Sequence, residues 1–408
     1  MSAIPLLAVF LTHNAVLISG LTVAAWLPWL LFGLYSGVII DRFDRARLLR
    51  DVQFFRLGVL GLLTVLVAAD RADIVVLYVV TFLVGTAETL VHGSLQALVP
   101  VIVPTKDLEK VNGQMLAAEQ VSHQFVGPAF GGLLYSLRPV LPFVVDTLSF
   151  GLSALLAERL RRGMPDLPAA AARPTGAIRP TGMTRESIEG LRYLIHQPVL
   201  RAMAGWVAAL NMLFSMAFAV IVLYSVERLR VSGFGYGILI SAQGVGGLIG
   251  AAISPLLVRR MGRGRIMLYS SVLAAAATLG IGLTTDRLTV GVLLLLDGLS
   301  AVSFTVVGRS LRQSLSPDEM NGRITSIYLM LGYGMIPIGA LLGGWIAHEY
   351  GVQFPFIVGG AGVLVVSLVV GPWLLRGGVD AQTADAQTAD AQTVDGSEVD
   401  RDAHVETG

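Results

Sequence analysis

Eleven apolar segments, each long enough to cross a bilayer, succeed one another along this chain of 408 residues, at about 15–40, 51–69, 74–99, 113–137, 140–158, 200–226, 234–258, 266–285, 288–308, 324–347 and 353–375. A hydrocarbon core roughly 30 Å thick is spanned by about 20 residues rising about 1.5 Å each, and in lipid only a helix satisfies its own backbone polar groups over such a run. The pattern therefore predicts an all-α polytopic membrane protein. With 54% hydrophobic and 14% charged residues the composition lies far outside the soluble range. The chain has no cysteine, which removes disulfides, thiolate metal sites, iron–sulfur clusters and cysteine nucleophiles from consideration.

Residues 2–12, SAIPLLAVFLT, are apolar but reach only about half of the core. Counted as a first helix cut short, with the start of the chain lying inside it, they bring the total to twelve. A signal peptide would be the alternative, but no basic stretch precedes the run and no small-residue cleavage site follows it. A polar segment divides the twelve into six and six, giving an N-terminal bundle at 1–158, a central loop at 159–198, a C-terminal bundle at 199–376 and a tail at 377–408. In the loop, Ile188, Leu191, Leu194 and Ile195 share one helical face, which predicts an amphipathic helix on the membrane surface. The tail repeats DAQTADAQTADAQTVDG, has no apolar face and is expected to be disordered.

Alternating sides along the helices places 22 basic residues on the side that holds Asp41 and five (Arg71, Arg138, Arg228, Arg230 and Arg287) on the other. That bias makes the Asp41 side cytoplasmic, with the central loop and the C-terminus on it. The two halves also echo each other. Pro104 to Gly113 resembles Pro317 to Gly322, and each is followed by a glycine-rich patch, GPAFGG at 127–132 and IGALLGG at 338–344. Related halves of this kind are typical of secondary transporters.

The run LPWLLFGLYSGVIIDRFDRARLLR, from Leu27 to Arg50, ends in aspartates and arginines. Gly37, Asp41, Arg42, Arg45 and Arg47 are spaced as in the cytoplasmic loop 2–3 motif of the major facilitator superfamily, and the chain resembles that family over almost its whole length. Asp44 and Ala46 depart from the motif, standing where a glycine and a basic residue are common, which points to a wider turn. The branch it resembles contains bacterial siderophore (enterobactin) and macrolide exporters. The resemblance implies two six-helix bundles related by a pseudo-two-fold axis, a monomer in the bacterial plasma membrane, and no nucleic-acid partner, cofactor or metal. It also implies that Gly37, Asp41, Arg42 and Arg45 form a conformational latch facing the N-terminus of helix 11, where a helix dipole favours a carboxylate. Purely topogenic arginines would need neither Asp41 nor Gly37.

Charges inside the membrane each cost roughly 2.5 to 3.5 kcal/mol on insertion scales and call for a use. Glu88 and His92 lie one turn apart on helix 4, and Glu119 and His123 one turn apart on helix 5. Antiparallel helices would put Glu88 level with His123 and His92 level with Glu119, and two roles fit such pairs: binding the coupling proton, or polar contact between helices. Asp297 on helix 10 is a further candidate for proton or substrate contact, because the resemblance places that helix beside the central cavity. Asp146 on helix 6 reads as structural, and Arg56 on helix 3 is expected to snorkel or to pair with the Asp41 loop. Gly127, Pro128, Gly131 and Gly132 resemble the core of the helix 5 motif of drug–proton antiporters, and they equally suit a close-packed small-residue interface. The run GVGGLIG at 244–250 lies within an apolar span with no strand before it, so it reads as helix packing and not as a dinucleotide loop.

No GxxxxGK[ST] phosphate loop is present, so ATP-driven transport has no support, and the six histidines are scattered over both sides and the tail, so no catalytic constellation emerges. The expected function is proton-coupled efflux of a small amphipathic compound by alternating access. A proton-coupled importer of a metabolite, a membrane-embedded enzyme and a non-transporting scaffold are the alternatives. The topology is directly testable, because the native chain carries no cysteine. A membrane-impermeant maleimide added to intact cells should label Ala72→Cys but not Met261→Cys until the membrane is opened, and the reverse pattern would invert the orientation.

Overall fold

The computed structural model describes residues 3–42, 44–103, 111, 114–115, 118, 121–163, 191–315 and 321–376. Its helices are α1 (Ile4–Leu11), α2 (Ala15–Arg42), α3 (Arg45–Ala68), α4 (Ile74–Ile102), α5 (Gly127–Leu137), α6 (Leu141–Gly163), α7 (Pro198–Phe218), α8 (Gly233–Met261), α9 (Arg263–Leu283), α10 (Arg287–Leu315), α11 (Asn321–Tyr350) and α12 (Phe354–Arg376). A π-helical turn, Val121–Val126, leads into α5, and a second, Tyr224–Arg228, follows α7. Among the described residues, ten helices are long and apolar enough to cross a membrane.

Short polar residues start many of these helices. Asn14 accepts from the Val16 and Leu17 amides, Asp44 from Arg47, Asp73 from Val76, Ser232 from Gly235 and Asp286 from Thr289, each satisfying amide groups that the helix itself leaves without a partner. The Thr289 hydroxyl and amide together hold the Asp286 carboxyl below the usual range. Asp44, one of the two departures from the loop motif, is thus the cap of α3, and the turn it closes is tight, with two residues between α2 and α3.

Packing repeats with a shift of six helices. In the first half α2 lies on α4, α3 on α4 and α3 on α6; in the second α8 lies on α10, α9 on α10 and α9 on α12. Among the described residues, the most extensive contacts between halves obey the same shift, α2 with α11 and α5 with α8. The pseudo-two-fold relation expected from the echoed sequence patches is therefore present in the packing itself.

Small residues make these contacts possible. A Cβ on Gly246 or Gly250 would meet the carbonyl oxygen of Leu295 or Leu299, and one on Gly298 would meet that of Gln243, so GVGGLIG is indeed a packing seam, between α8 and α10. The echoed patches work in the same way across the halves. Gly132 abuts the Gly233 carbonyl, and Gly344 abuts Ser19 and the Ala15 carbonyl. Only glycine suits the junction of α8 and α9, where Gly262 has φ 83°.

In the central loop, residues 191–196 are helical. Leu191 and Ile195 are exposed, but Leu194 is buried with Met203, Trp206 and Ile266 in the core of the second half, so this stretch docks on the protein and does not lie only on lipid. Ile188, the polar tail and the Pro104–Lys110 part of the echo lie outside the described residues.

Replacing Gly246 with valine should cost about 1 to 3 kcal/mol by overpacking, whereas Gly205→Ala, where nothing lies within 4 Å of the added carbon, should be neutral. Thermal unfolding in detergent measures both, and equal midpoints for the two variants would refute the seam.

Candidate functional site

Four rings from three helices meet between the halves. Trp26 and Trp29 of α2 lie one turn apart; Trp26 approaches Tyr333 of α11 at 5.1 Å between ring centroids, and Trp29 meets Tyr333 at 6.4 Å and His92 of α4 at 5.8 Å. Trp29 and Tyr333 stand near the middle of their helices. Leu30 also reaches α11, within contact of a Cβ placed on Gly334. The rings are tilted or edge-on to one another, the arrangement aromatic pairs prefer. This arrangement can hold a flat or amphipathic molecule in contact with both halves at once.

Beside this cluster lies an ion pair. Arg56 of α3 pairs with Glu88 of α4, and its guanidinium also sits over the Phe150 ring of α6 at 4.8 Å. The Arg56 side chain is 5% exposed and that of Glu88 41%. Arg56 thus does not snorkel, as its sequence position suggested it would, and its pairing with the Asp41 loop falls on side chains outside the described residues. A buried guanidinium needs a counter-charge close by, and Glu88, at the same depth on the neighbouring helix, supplies it. Glu88 is committed to that contact, and His92, one turn away, turns to Trp29.

The second half holds its own carboxylate. Asp297 is 2% exposed, accepting from Gln243 Nε2 of α8 at 2.8 Å and from Thr278 Oγ1 of α9 at 3.2 Å. The neighbouring Gly298 lies against the Gln243 backbone, so the α8–α10 seam fixes the register of the Asp297–Gln243 contact. Asp297 therefore faces the interior of its own half, and a substrate has no direct access to it in this conformation.

Described contacts between the halves gather toward the end that carries Arg138 and Arg230. There the Phe234 amide of α8 donates to the Ser136 hydroxyl of α5 at 2.8 Å, Gly237 lies against the Pro128 carbonyl, and His13 meets Glu227 at 3.0 Å. A cleft of about 330 Å³ beside this last pair is lined by His348 and Gln353 as well. At the opposite end, Glu158 of α6 accepts from Arg50 of α3 and from its own Arg161 and Arg162.

The helix 5 residues Gly127, Pro128, Gly131 and Gly132 follow directly on the π turn, and Gly132 is part of the α5–α8 contact. A π turn inside a membrane helix often marks a functional position. Gly37, Asp41, Arg42 and Arg45 lie on described backbone, but their side chains, like that of His123 and all of Glu119, lie outside the described residues.

Comparison with known proteins fits this architecture. A family model described as transmembrane secretion effector matches residues 7–404. The chain belongs to the major facilitator superfamily. It is 25% identical to the macrolide efflux protein A of Streptococcus pyogenes over 369 residues, covering 88% of this chain and 87% of that protein. It is 26% identical to the enterobactin exporter EntS of Escherichia coli O1:K1 over 374 residues, covering 90% and 86%. Among solved structures, a single-residue mutant of the nucleoside transporter NupG superposes with a TM-score of 0.71 at 11% identity, over 90% of this chain and 94% of that one, which bears on the fold alone.

Sequence reasoning singled out Glu88, His92 and Asp297 but missed their surroundings. Trp26 and Trp29, three residues apart in an apolar run, were a visible signal; Tyr333, Gln243 and Thr278 had none, because helix packing alone brings them there. Removing Arg56 leaves Glu88 without its counter-charge, so Arg56→Met should destabilise by about 1 to 3 kcal/mol, and adding Glu88→Leu should restore most of that. A double-mutant cycle in thermal unfolding checks it, and additive losses would show that the pair carries no coupling.

Proposed function

We propose that this chain is a secondary exporter that expels a small amphipathic compound, of drug, macrolide or siderophore type, in exchange for protons by alternating access. The observation that carries this reading is the ring cluster of Trp26, Trp29, His92 and Tyr333, drawn from both halves. A molecule seated there touches both bodies, so its affinity changes when one half rocks against the other, as alternating access requires. The efflux named for the macrolide relative and the export named for the enterobactin relative support the outward direction.

In this reading the protein acts as a monomer in the bacterial plasma membrane, by moving its substrate and not by catalysis. The Arg50 end, richer in basic residues, faces the cytoplasm. The closed Arg138 end faces outward, held by the α5–α8 and α2–α11 contacts. Gly37, Asp41, Arg42 and Arg45 act at the cytoplasmic end as the latch between states, on a turn that the Asp44 cap of α3 keeps short.

Inverted membrane vesicles with an acidified interior should accumulate a labelled macrolide, and a protonophore should collapse the accumulation. Trp29→Ala should lower apparent affinity about tenfold, equivalent to about 1.4 kcal/mol, and Tyr333→Ala similarly. Uptake by right-side-out vesicles in place of inverted ones would replace the exporter with an importer.

A further inference from the structure

The second half contains a titratable group that the ring cluster does not use. Asp297 is 2% exposed, at mid-helix depth on α10, and among the described residues no cation pairs with it. The nearest ionisable side chains along the three helices that enclose it are Tyr236 on α8, Tyr269 on α9 and Arg287 on α10, seven, nine and ten residues from Gln243, Thr278 and Asp297. At about 1.5 Å per residue they lie roughly 10 Å or more away along the helix axes. A bare carboxylate in such a place is very costly, and the neutral acid far less so.

Its two partners suit both protonation states. The Gln243 amide donates to Oδ2 whether the carboxyl carries a proton or not. The Thr278 hydroxyl, 3.2 Å from Oδ1, accepts from the neutral acid and turns to donate to the anion. A purely structural contact requires one state to be satisfied; this one satisfies two. Glu88 contrasts with it, because the Arg56 guanidinium already balances its charge. None of α8, α9 and α10 supplies a ring to the cluster between the halves.

We infer that Asp297, with Gln243 and Thr278, is a proton-binding site inside the second half, separate from the aromatic contact between the halves, and that it carries the coupling proton. In the protonated state the hydroxyl of Thr278 turns, and Oδ1–H donates to it. On release the O–H bond breaks, the proton passes to water, and the carboxylate keeps both electrons and both hydrogen-bond donors. Coupling is then indirect: the proton acts on the packing of α8, α9 and α10, and the substrate senses it through the position of that half.

The coupling role rests on the proton-driven export reading, and the test separates the two. Full-length protein labelled with [13C]aspartate and reconstituted in liposomes is titrated while infrared difference spectra are recorded. The expected result is an isotope-shifted protonated-carboxyl stretch that is lost in both Asp297→Asn and Asp297→Glu and displaced in Thr278→Val. A stretch that survives both Asp297 substitutions, or is absent from the wild type throughout the titration, overturns the site. In the same liposomes Asp297→Asn should lose macrolide accumulation driven by a pH gradient yet retain macrolide–macrolide exchange. Gradient-driven accumulation at the wild-type level in Asp297→Asn would overturn the coupling role. Wild-type protein that moves no macrolide would count against the export reading, and the infrared result alone would then decide Asp297.

Discussion

Close approach of helix backbones is the constraint on which this molecule rests. Lipid tails are as apolar as leucine, so helices in a bilayer gain little from hiding apolar side chains against one another and must rely on packing and hydrogen bonds. Here glycines strip the contact surfaces of side chains where packing is closest. Gly246, Gly250 and Gly298 bring α8 and α10 together within one half, while Gly132 and Gly344 serve contacts between the halves. The same device thus builds a seam within one half and a contact between the two. What differs is the surrounding support: the α8–α10 seam is backed by α9, which also packs on α10, whereas α5–α8 and α2–α11 cross between the halves.

Two membrane-embedded carboxylates show two ways of living with charge. Glu88 is matched by a full guanidinium, itself fixed over Phe150, and the neutral sum makes the pair tolerable at depth. Asp297 has only an amide and a hydroxyl. In both halves the acidic residue sits on the fourth helix and its partner on the third, Arg56 or Thr278, so the pseudo-symmetry extends to the position of the polar contacts while their chemistry has diverged.

Much of the fold was legible in the sequence because the bilayer imposes a length and a polarity on every spanning segment. The apolar runs 15–40, 74–99, 234–258, 266–285 and 353–375 ended within about three residues of the observed helix ends, while α10 runs on to Leu315 and α7 stops at Phe218; the echo between GPAFGG and IGALLGG anticipated two patches that do equivalent work at contacts between halves. The polar interior was harder to read. Placing Glu88 level with His123 used helix depth alone, and depth does not say which way a side chain turns, so the Arg56 contact on an adjacent helix was not anticipated. The Tyr333 contact with Trp26 and Trp29 depends on how two halves meet, which no local pattern encodes. Asp44 shows the opposite case, in which a departure from a motif proves to have a plain local purpose as a helix cap.

The hydrogen bond from the Phe234 amide to the Ser136 hydroxyl joins the start of a helix in one half to a side chain in the other. Ser232 already satisfies the Gly235 amide, so the first turn of α8 is capped partly by its own half and partly by its neighbour. Parting the halves at this end therefore strips one amide of its partner, and water must enter to replace it. In the alternating access we propose, opening would in this sense be a wetting event, and the activity of water at that membrane face would be one of the variables that set how the two states are populated.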